Sequence, residues 1–341
     1  MAHTLEYKFS FIEGLESIVR SEIANKLGIA DLYFEEESLY TMYRVPLSAV
    51  RALKSVARVY VVAKNAEFSP VYVNRHKSIL GDIIKIILAE HNEKFLTFNI
   101  SVAGKDSPEI HEISTYIAST FKLQESDSAD LKIHIGKNRE RWEIGAQISK
   151  RPLSLRGYRA EHMPGAMDAT IAYALNSLCE LERAETYLNP FCGSATLLLE
   201  AADEYTNLTS LIGFDDDKKI LSFAYKNVGE AGMLSRITLK YGDVVKSPEL
   251  GPADVITADL PFGMVISKDE DIARLYDAFV SYASHKLNPD GCLGVFTPKA
   301  ELIENSLRNS QFKNVKKIPT KIITSVDAYL WPTIYICKFK N

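Results

Sequence analysis

Asp259, Leu260, Pro261, Phe262 and Gly263 put an acceptor-only carboxylate, a rigid proline, an aromatic face and a glycine that allows close approach into five residues. Such a set could hold a flat, amino-bearing ring. The carboxylate would accept from an exocyclic amine while Phe262 covers the face, the grip used on unstacked nucleobases. The same residues would also make an ordinary turn, so their weight depends on what surrounds them. Asn189, Pro190, Phe191, Cys192, Gly193 and Ser194 form a tight turn of small residues running straight into a helix, whose N-terminus favours a polar ligand. Asp215 follows Gly193 by 22 residues, about the spacing at which an acid reaches a ribose hydroxyl. Asp243, in Tyr241-Gly242-Asp243, could accept from an adenine amino group. A nicotinamide dinucleotide fits less well, because the turn lacks a full G-x-G-x-x-G.

These acids need strand ends to carry them. After Pro164, placed to start a helix, short apolar strands alternate with amphipathic helices to the end of the chain, which predicts an open, mostly parallel, doubly wound α/β sheet with right-handed crossovers. The turn, Asp215, Asp243 and Asp259 then fall on successive strand ends, where such sheets bind ligands. Residues 1–64 read as β-α-β-β-α-β, the ferredoxin-like plan, and from about Val71 a second α+β module follows to Ile148.

Lys+Arg 40 against Asp+Glu 44 gives a net charge of −4, so any nucleic-acid surface must be local. One stretch qualifies: Lys137 to Arg159 holds Lys137, Arg139, Arg141, Lys150, Arg151, Arg156 and Arg159 against Glu140 and Glu143, with Trp142 and Tyr158 among them. Such charge suits phosphates, although charge runs are commonly just solvated faces. Cys179, Cys192, Cys292 and Cys337 lack the close spacing of metal or redox motifs, so no metal is expected and the setting reads as reduced. His111 and His162 stand isolated. With no signal-like N-terminus and no apolar run of about 18 residues, the expectation is a soluble cytoplasmic protein without membrane contact. Nothing in the sequence demands a protein partner.

Pro152-Leu-Ser-Leu-Arg-Gly-Tyr-Arg159, Asn189 to Thr196, Gly213-Phe-Asp215, Gly242-Asp243 and Asp259-Leu-Pro-Phe-Gly263 together resemble the S-adenosylmethionine-dependent methyltransferases that carry an N-terminal THUMP domain and modify guanosine in RNA. The resemblance implies a C-terminal Rossmann-like class I methyltransferase domain (164–341) whose last strand is antiparallel. It also implies a ferredoxin-like domain (1–64), a THUMP RNA-binding domain (65–149) and a linker (150–163). Asp259, Leu260, Pro261 and Phe262 would be the catalytic residues. Asn189, Pro190, Phe191, Cys192, Gly193, Ser194, Asp215 and Asp243 would hold S-adenosylmethionine, and Lys150, Arg151, Arg156 and Arg159 would meet RNA. The Asp-Leu-Pro-Phe-Gly form is similar to that of tRNA enzymes acting on the 2-amino group of guanosine near the acceptor stem, at position 6. The alternatives are a ribosomal RNA guanine, a DNA adenine, or an inactive RNA-binding THUMP protein. The last is prompted by Asn189 and Ala195, where the family usually has aspartate and glycine.

Overall fold

The computed structural model describes residues 4–43, 45–65, 72–91, 93–138, 141–160, 163, 165–246, 248–262, 269–325 and 328–340. Val71, Arg139, Glu140, His162, Pro164 and Gly263 lie outside the described residues. The chain forms two compact units, one of Met1–Phe11 with Val19–Ser154 and one of Ile12–Ile18 with Leu155–Asn341.

The first unit contains β1 (Glu6–Ser10), α1 (Glu16–Leu27, from Val19 on), β2 (Tyr33–Glu35), β3 (Ser38–Met42), α2 (Leu47–Arg51), β4 (Arg58–Asn65), α3 (Val73–Ala89), β5 (Thr97–Val102), α4 (Pro108–Phe121), β6 (Gln124–Glu125), β7 (Leu131–Asn138) and β8 (Arg141–Gln147). The segments read as two modules share one eight-stranded sheet in the order β2-β3-β1-β4-β8-β7-β5-β6. Antiparallel β4 and β8 make the join, with Tyr60 opposite Gln147 and Lys64 opposite Glu143. Ile79, Leu80, Ile83, Ile84 and Ile87 form the buried stripe of α3, at the three-and-four spacing that faces a helix onto a sheet. They share one core with Phe9, Val59, Val61, Ile133 and Ile144. Helix α4 starts where the Ser107 side chain accepts from Ile110 N and Pro108 takes the first turn.

The second unit contains α5 (Ala169–Leu178), β9 (Thr186–Pro190), α6 (Thr196–Glu204), β10 (Ser210–Asp215), α7 (Lys218–Glu230), β11 (Ile237–Tyr241), β12 (Ala253–Asp259), α8 (Asp269–Lys286), β13 (Leu287–Thr297), α9 (Ala300–Arg308), β14 (Phe312–Pro319), β15 (Ile322–Ser325), β16 (Ala328–Leu330) and β17 (Thr333–Phe339). Its seven-stranded sheet runs β11-β10-β9-β12-β13-β17-β14. Strand β17 is antiparallel to both neighbours, β13 and β14, while the other pairs are parallel, the expected Rossmann-like α/β arrangement. The order reverses between β9 and β12, so the crevice for a ligand opens above those two strand ends. Among the described residues no helix is long and apolar enough to cross a membrane.

Candidate active site

Strand β9 delivers the small-residue loop to the reversal point. Three of its residues have left-handed backbones: Phe191 (φ 62°), Gly193 (φ 54°) and Ala195 (φ 68°). For Phe191 and Ala195 this is a conformation that side chains resist, and such strain is held where the surroundings over-determine it. The fixings are visible. Cys192 N donates to Phe214 O at 2.9 Å and Ala195 N to Cys192 O at 2.8 Å, while Asn227 Nδ2 donates to Ser194 O at 3.1 Å. Gly213 lets the loop approach β10, since a Cβ there would lie 2.8 Å from Cys192 Cβ and 2.4 Å from Leu198 Cδ1.

Asp215, at the end of β10, locks the loop as well as facing the crevice. Its Oδ2 accepts from Gly193 N at 3.0 Å and its Oδ1 from Asp217 N at 3.1 Å, and burial raises its pKa. Each oxygen keeps a second lone pair for an incoming hydroxyl. Asp243, after β11, accepts from Val245 N at 2.9 Å.

Asp259 ends β12 opposite Phe296. The residue is half-buried, yet its Oδ1 is buried without a hydrogen-bond partner among the described residues. Burial pushes its pKa up to about 7. A desolvated carboxylate with an unused oxygen is costly unless a donor arrives. The residues after it are anchored from behind. Leu260 N donates to Phe296 O at 3.0 Å, and Tyr276 Oη donates to Pro261 O at 3.1 Å. The Tyr276 hydroxyl also meets Thr297 Oγ1 at 2.7 Å, and Thr297 Oγ1 accepts from Lys299 N at 3.0 Å. One proton per hydroxyl then fixes the order of donors as Lys299 N–H, Thr297, Tyr276, Pro261 carbonyl. The Phe262 ring sits 6.4 Å from that of Phe296.

These strand ends enclose a cavity of about 400 Å³, in the size range of small-molecule sites. Gly193, Asp215, Asp243 and Asp259 supply its polar points, and Phe214, Ile220, Val244 and Leu275 its apolar walls. A recess of about 30 Å³ adjoins it, lined by Cys192, Gly193, Ser194 and Asp259 among others. The residues fit a nucleoside-like group: apolar walls for a ring, two carboxylates at neighbouring strand ends for hydroxyl and amine, and an orphaned carboxylate oxygen beside them. Cys192 is buried and its thiol pushed up, so it is a neutral wall, not a nucleophile.

The structure thus brings Phe191, Cys192, Gly193, Ser194, Asp215, Asp243, Asp259, Leu260, Pro261 and Phe262 around one space. Asn189 and Pro190 are buried behind it, and Asn189 Nδ2 donates to Thr257 O at 2.7 Å, tying β9 to β12. The residues expected to meet RNA divide between the units, Lys150 and Arg151 in the first, Arg156 and Arg159 in the second. Arg151 is exposed, whereas Lys150 Nζ lies 3.4 Å from Glu93 and 3.7 Å from Asp130. Arg156 is turned inward. Its Nε and Nη2 donate to the buried Glu200 carboxylate at 2.9 and 3.2 Å, Tyr158 Oη adds a bond to the same group, and Arg159 donates to Met167 O. Desolvation explains this, because Glu200 on α6 cannot stay charged and buried without such a partner. Met163, Ile220, Val244, Leu275, Tyr276 and Thr297 were not singled out from the sequence. Apolar spacing on α7 and α8 could have suggested Ile220 and Leu275, but nothing in the sequence marks a buried tyrosine as a loop anchor. Among the described residues no group of three or more His, Cys, Asp or Glu could hold a metal ion.

Residues 156–325 match the family UPF0020, described as an RMKL-like methyltransferase domain. The U6 snRNA (guanine-N(2))-methyltransferase THUMPD2 of Bos taurus is 30% identical over 206 residues, which is 58% of this chain and 40% of that protein. The tRNA (guanine(6)-N2)-methyltransferase of Methanocaldococcus jannaschii is 27% identical over 198 residues, 47% of this chain and 52% of that one. The chain therefore spans about half or less of the length of these curated relatives. The crystal structure of TrmN from Thermus thermophilus superposes with a TM-score of 0.80 at 19% identity, covering 98% of this chain and 100% of that one. The protein SMU.472 complexed with SAH gives 0.73 at 17% identity over the whole of both chains. At these identities the two structures establish the fold.

Proposed function

From the match of residues 156–325 to the UPF0020, RMKL-like methyltransferase domain, we propose that the chain methylates the exocyclic 2-amino group of a guanosine in tRNA, with S-adenosylmethionine as donor. The observation that carries the reading is the buried Oδ1 of Asp259, without a partner among the described residues, beside a cavity of about 400 Å³ at the sheet's reversal point. The relatives named for guanine-N2 methylation of tRNA and U6 snRNA support RNA guanine as substrate, and position 6 near the acceptor stem is the specific site we propose.

Bound S-adenosylmethionine supplies a methyl group on a sulfonium, already electrophilic. The chain's own work is to hold it, place the amine in line and exclude water. Gly193 and Ser194 border the amino-acid end, with Asn189 and Pro190 supporting the turn from below. Asp215 takes the ribose hydroxyls and Asp243 the adenine amine. On the other side Asp259 accepts one amine hydrogen and the Leu260 carbonyl the second. Held by both, the nitrogen's lone pair leaves conjugation with the ring and becomes nucleophilic. Phe262 stacks on the flipped base. With bound S-adenosylmethionine supplying the methyl group and leaving as its thioether, Asp259 would take the amine's surplus proton, and its pKa of about 7 suits a base at neutral pH.

In the same reading residues 1–64 are the ferredoxin-like domain, 65–149 the THUMP domain and 150–163 the linker. The protein works in the cytoplasm, with Lys150 and Arg151 offered to phosphates. The test is incubation of the purified chain with labelled S-adenosylmethionine and, separately, unmodified tRNA and ribosomal RNA transcripts, followed by nucleoside digestion. N2-methylguanosine from tRNA is the expected product. Label only in ribosomal RNA would move the substrate, and no label in any RNA with cofactor binding intact would refute the reading.

A further inference from the structure

Strand register places a second feature on the catalytic edge of the C-terminal sheet. Asp259 lies opposite Phe296, and the next residue, Thr297, pairs with Thr333, which pairs with Pro319. The hairpin β15–β16 joins the end of β14 to the start of β17, so it rises from the same edge as the cavity. At about 4.8 Å per strand its root is roughly 10–15 Å along the sheet from Asp259. That root is firm. Thr320 N and Thr320 Oγ1 both reach Pro332 O at 2.8 Å, and Gly14 fits under Pro319 O with no room for a Cβ.

The hairpin presents large apolar and aromatic side chains to solvent. Ile323 is 71% exposed, Trp331 58% and Tyr329 49%. Lys321 Nζ stands 4.8 Å from the Tyr329 ring centroid and 5.4 Å from that of Trp331. Alongside, the edge strand β14 exposes Lys313, Lys316 and Lys317, and from Phe312 to Ser325 the sequence holds four lysines and no acid. Lys317 pairs with Glu304, and Lys321 lies 3.4 Å from Glu13. Both are surface pairs of the kind a phosphate displaces at little cost.

We propose that the β15–β16 hairpin and edge strand β14 form a docking surface for the single-stranded RNA next to the methylated nucleotide, with Tyr329 and Trp331 as stacking platforms and Lys313, Lys317 and Lys321 on phosphates. This rests on RNA as the substrate. A base lifted into the cavity leaves its neighbours unstacked, and exposed aromatics interleaved with lysines a few nucleotides away are what single strands bind. Charge complementarity and the shared edge with Asp259 favour RNA over an uncharged protein surface.

The test uses the full chain, an unmodified tRNA transcript and a single-stranded RNA oligonucleotide. Wild type, Trp331→Ala, Tyr329→Ala and Lys313→Ala are compared by binding titration and by KM for the transcript, with SAH affinity measured in parallel to check the cofactor pocket. Loss of a stacked base is expected to weaken RNA binding and raise KM by roughly 5- to 150-fold. Loss of the lysine is expected to flatten the log–log salt dependence by about 0.7. Variants that bind and use RNA like the wild type overturn the docking surface, and leave methyl transfer standing if the wild type labels RNA. Unchanged RNA binding with an altered oligomeric state overturns it too, giving the patch to a second copy of the chain. A wild type that neither binds nor labels RNA removes both readings.

Discussion

Replacing Asp259 by asparagine should make the protein more stable and less active, with the stability gain appearing only as pH rises. Burial disfavours the charge of Asp259 and pushes its pKa from the ordinary 3.8 up to about 7, and among the described residues no donor reaches Oδ1. Between those values the native state binds more protons than the unfolded chain, so the wild type loses stability as pH climbs through the window. The full gap is worth about 4 kcal/mol, and about half of that once water at the half-open pocket screens the charge. Asparagine keeps the shape without the titration. Asp259→Asn should therefore match the wild type near pH 4 and exceed it by about 2–4 kcal/mol at pH 8. Urea denaturation at several pH values would measure this, with hydrogen exchange in peptides from β12 and β13 following the C-terminal unit by itself. Wild-type turnover should rise with pH through about 7, and the variant's should collapse. A stability difference that stays constant from pH 5 to pH 8 would refute the account, since it would mean that Asp259 carries its charge in the fold at no cost.

The other expectations come from the supports of the site. Tyr276→Phe removes one hydroxyl and leaves the Pro261 carbonyl unpaired, so it should cost about 1–3 kcal/mol in urea. It should also lower kcat roughly 10- to 100-fold by displacing the loop, with SAH affinity unchanged by calorimetry. Gly193→Ala should cost about 1–2 kcal/mol, because a side chain there must sit at φ 54°. Ala195→Gly relieves the same penalty but loses a buried methyl worth about 0.8 kcal/mol, so its melting temperature should stay close to wild type. Arg156→Met strands the Glu200 carboxylate and should cost about 3–5 kcal/mol in a denaturation midpoint; restoring Arg156 as lysine should recover only part of it, for want of the two-pronged contact.

The alternation of strand and helix from β9 to α9 was legible because β9, β10, β12 and β13 carry short apolar runs and α7, α8 and α9 each bury one stripe. The pattern of one turn and three acids, Asp215, Asp243 and Asp259, was legible because chemistry concentrates at strand ends. Other features left little trace. The left-handed backbones of Phe191 and Ala195 belong to residues that ordinarily avoid them, and packing imposes them. Helix α5 stops at Leu178, after which Glu180 turns left-handed and a single tighter turn, Leu181–Arg183, follows, a break that no glycine or proline marks in the sequence. The β15–β16 hairpin went unread since its residues face solvent and show no buried alternation. The charge of Arg156 suggests a phosphate ligand because sequence shows charge without showing its partner, and Glu200 lies 44 residues away. The pairing of β4 with β8 was equally hidden, joining segments about eighty residues apart that each look complete.

That pairing has a consequence for how the chain is made. When the ribosome has released residues through Asn65, β4 has β1 on one side and bare backbone on the other, and it stays so until Gln147 has emerged. An unpaired strand edge invites the wrong partner, and long-range pairings form slowly. The nascent first half thus depends on its own last strand for protection, and a stall in translation anywhere between the two would leave a sticky half-sheet for chaperones to hold.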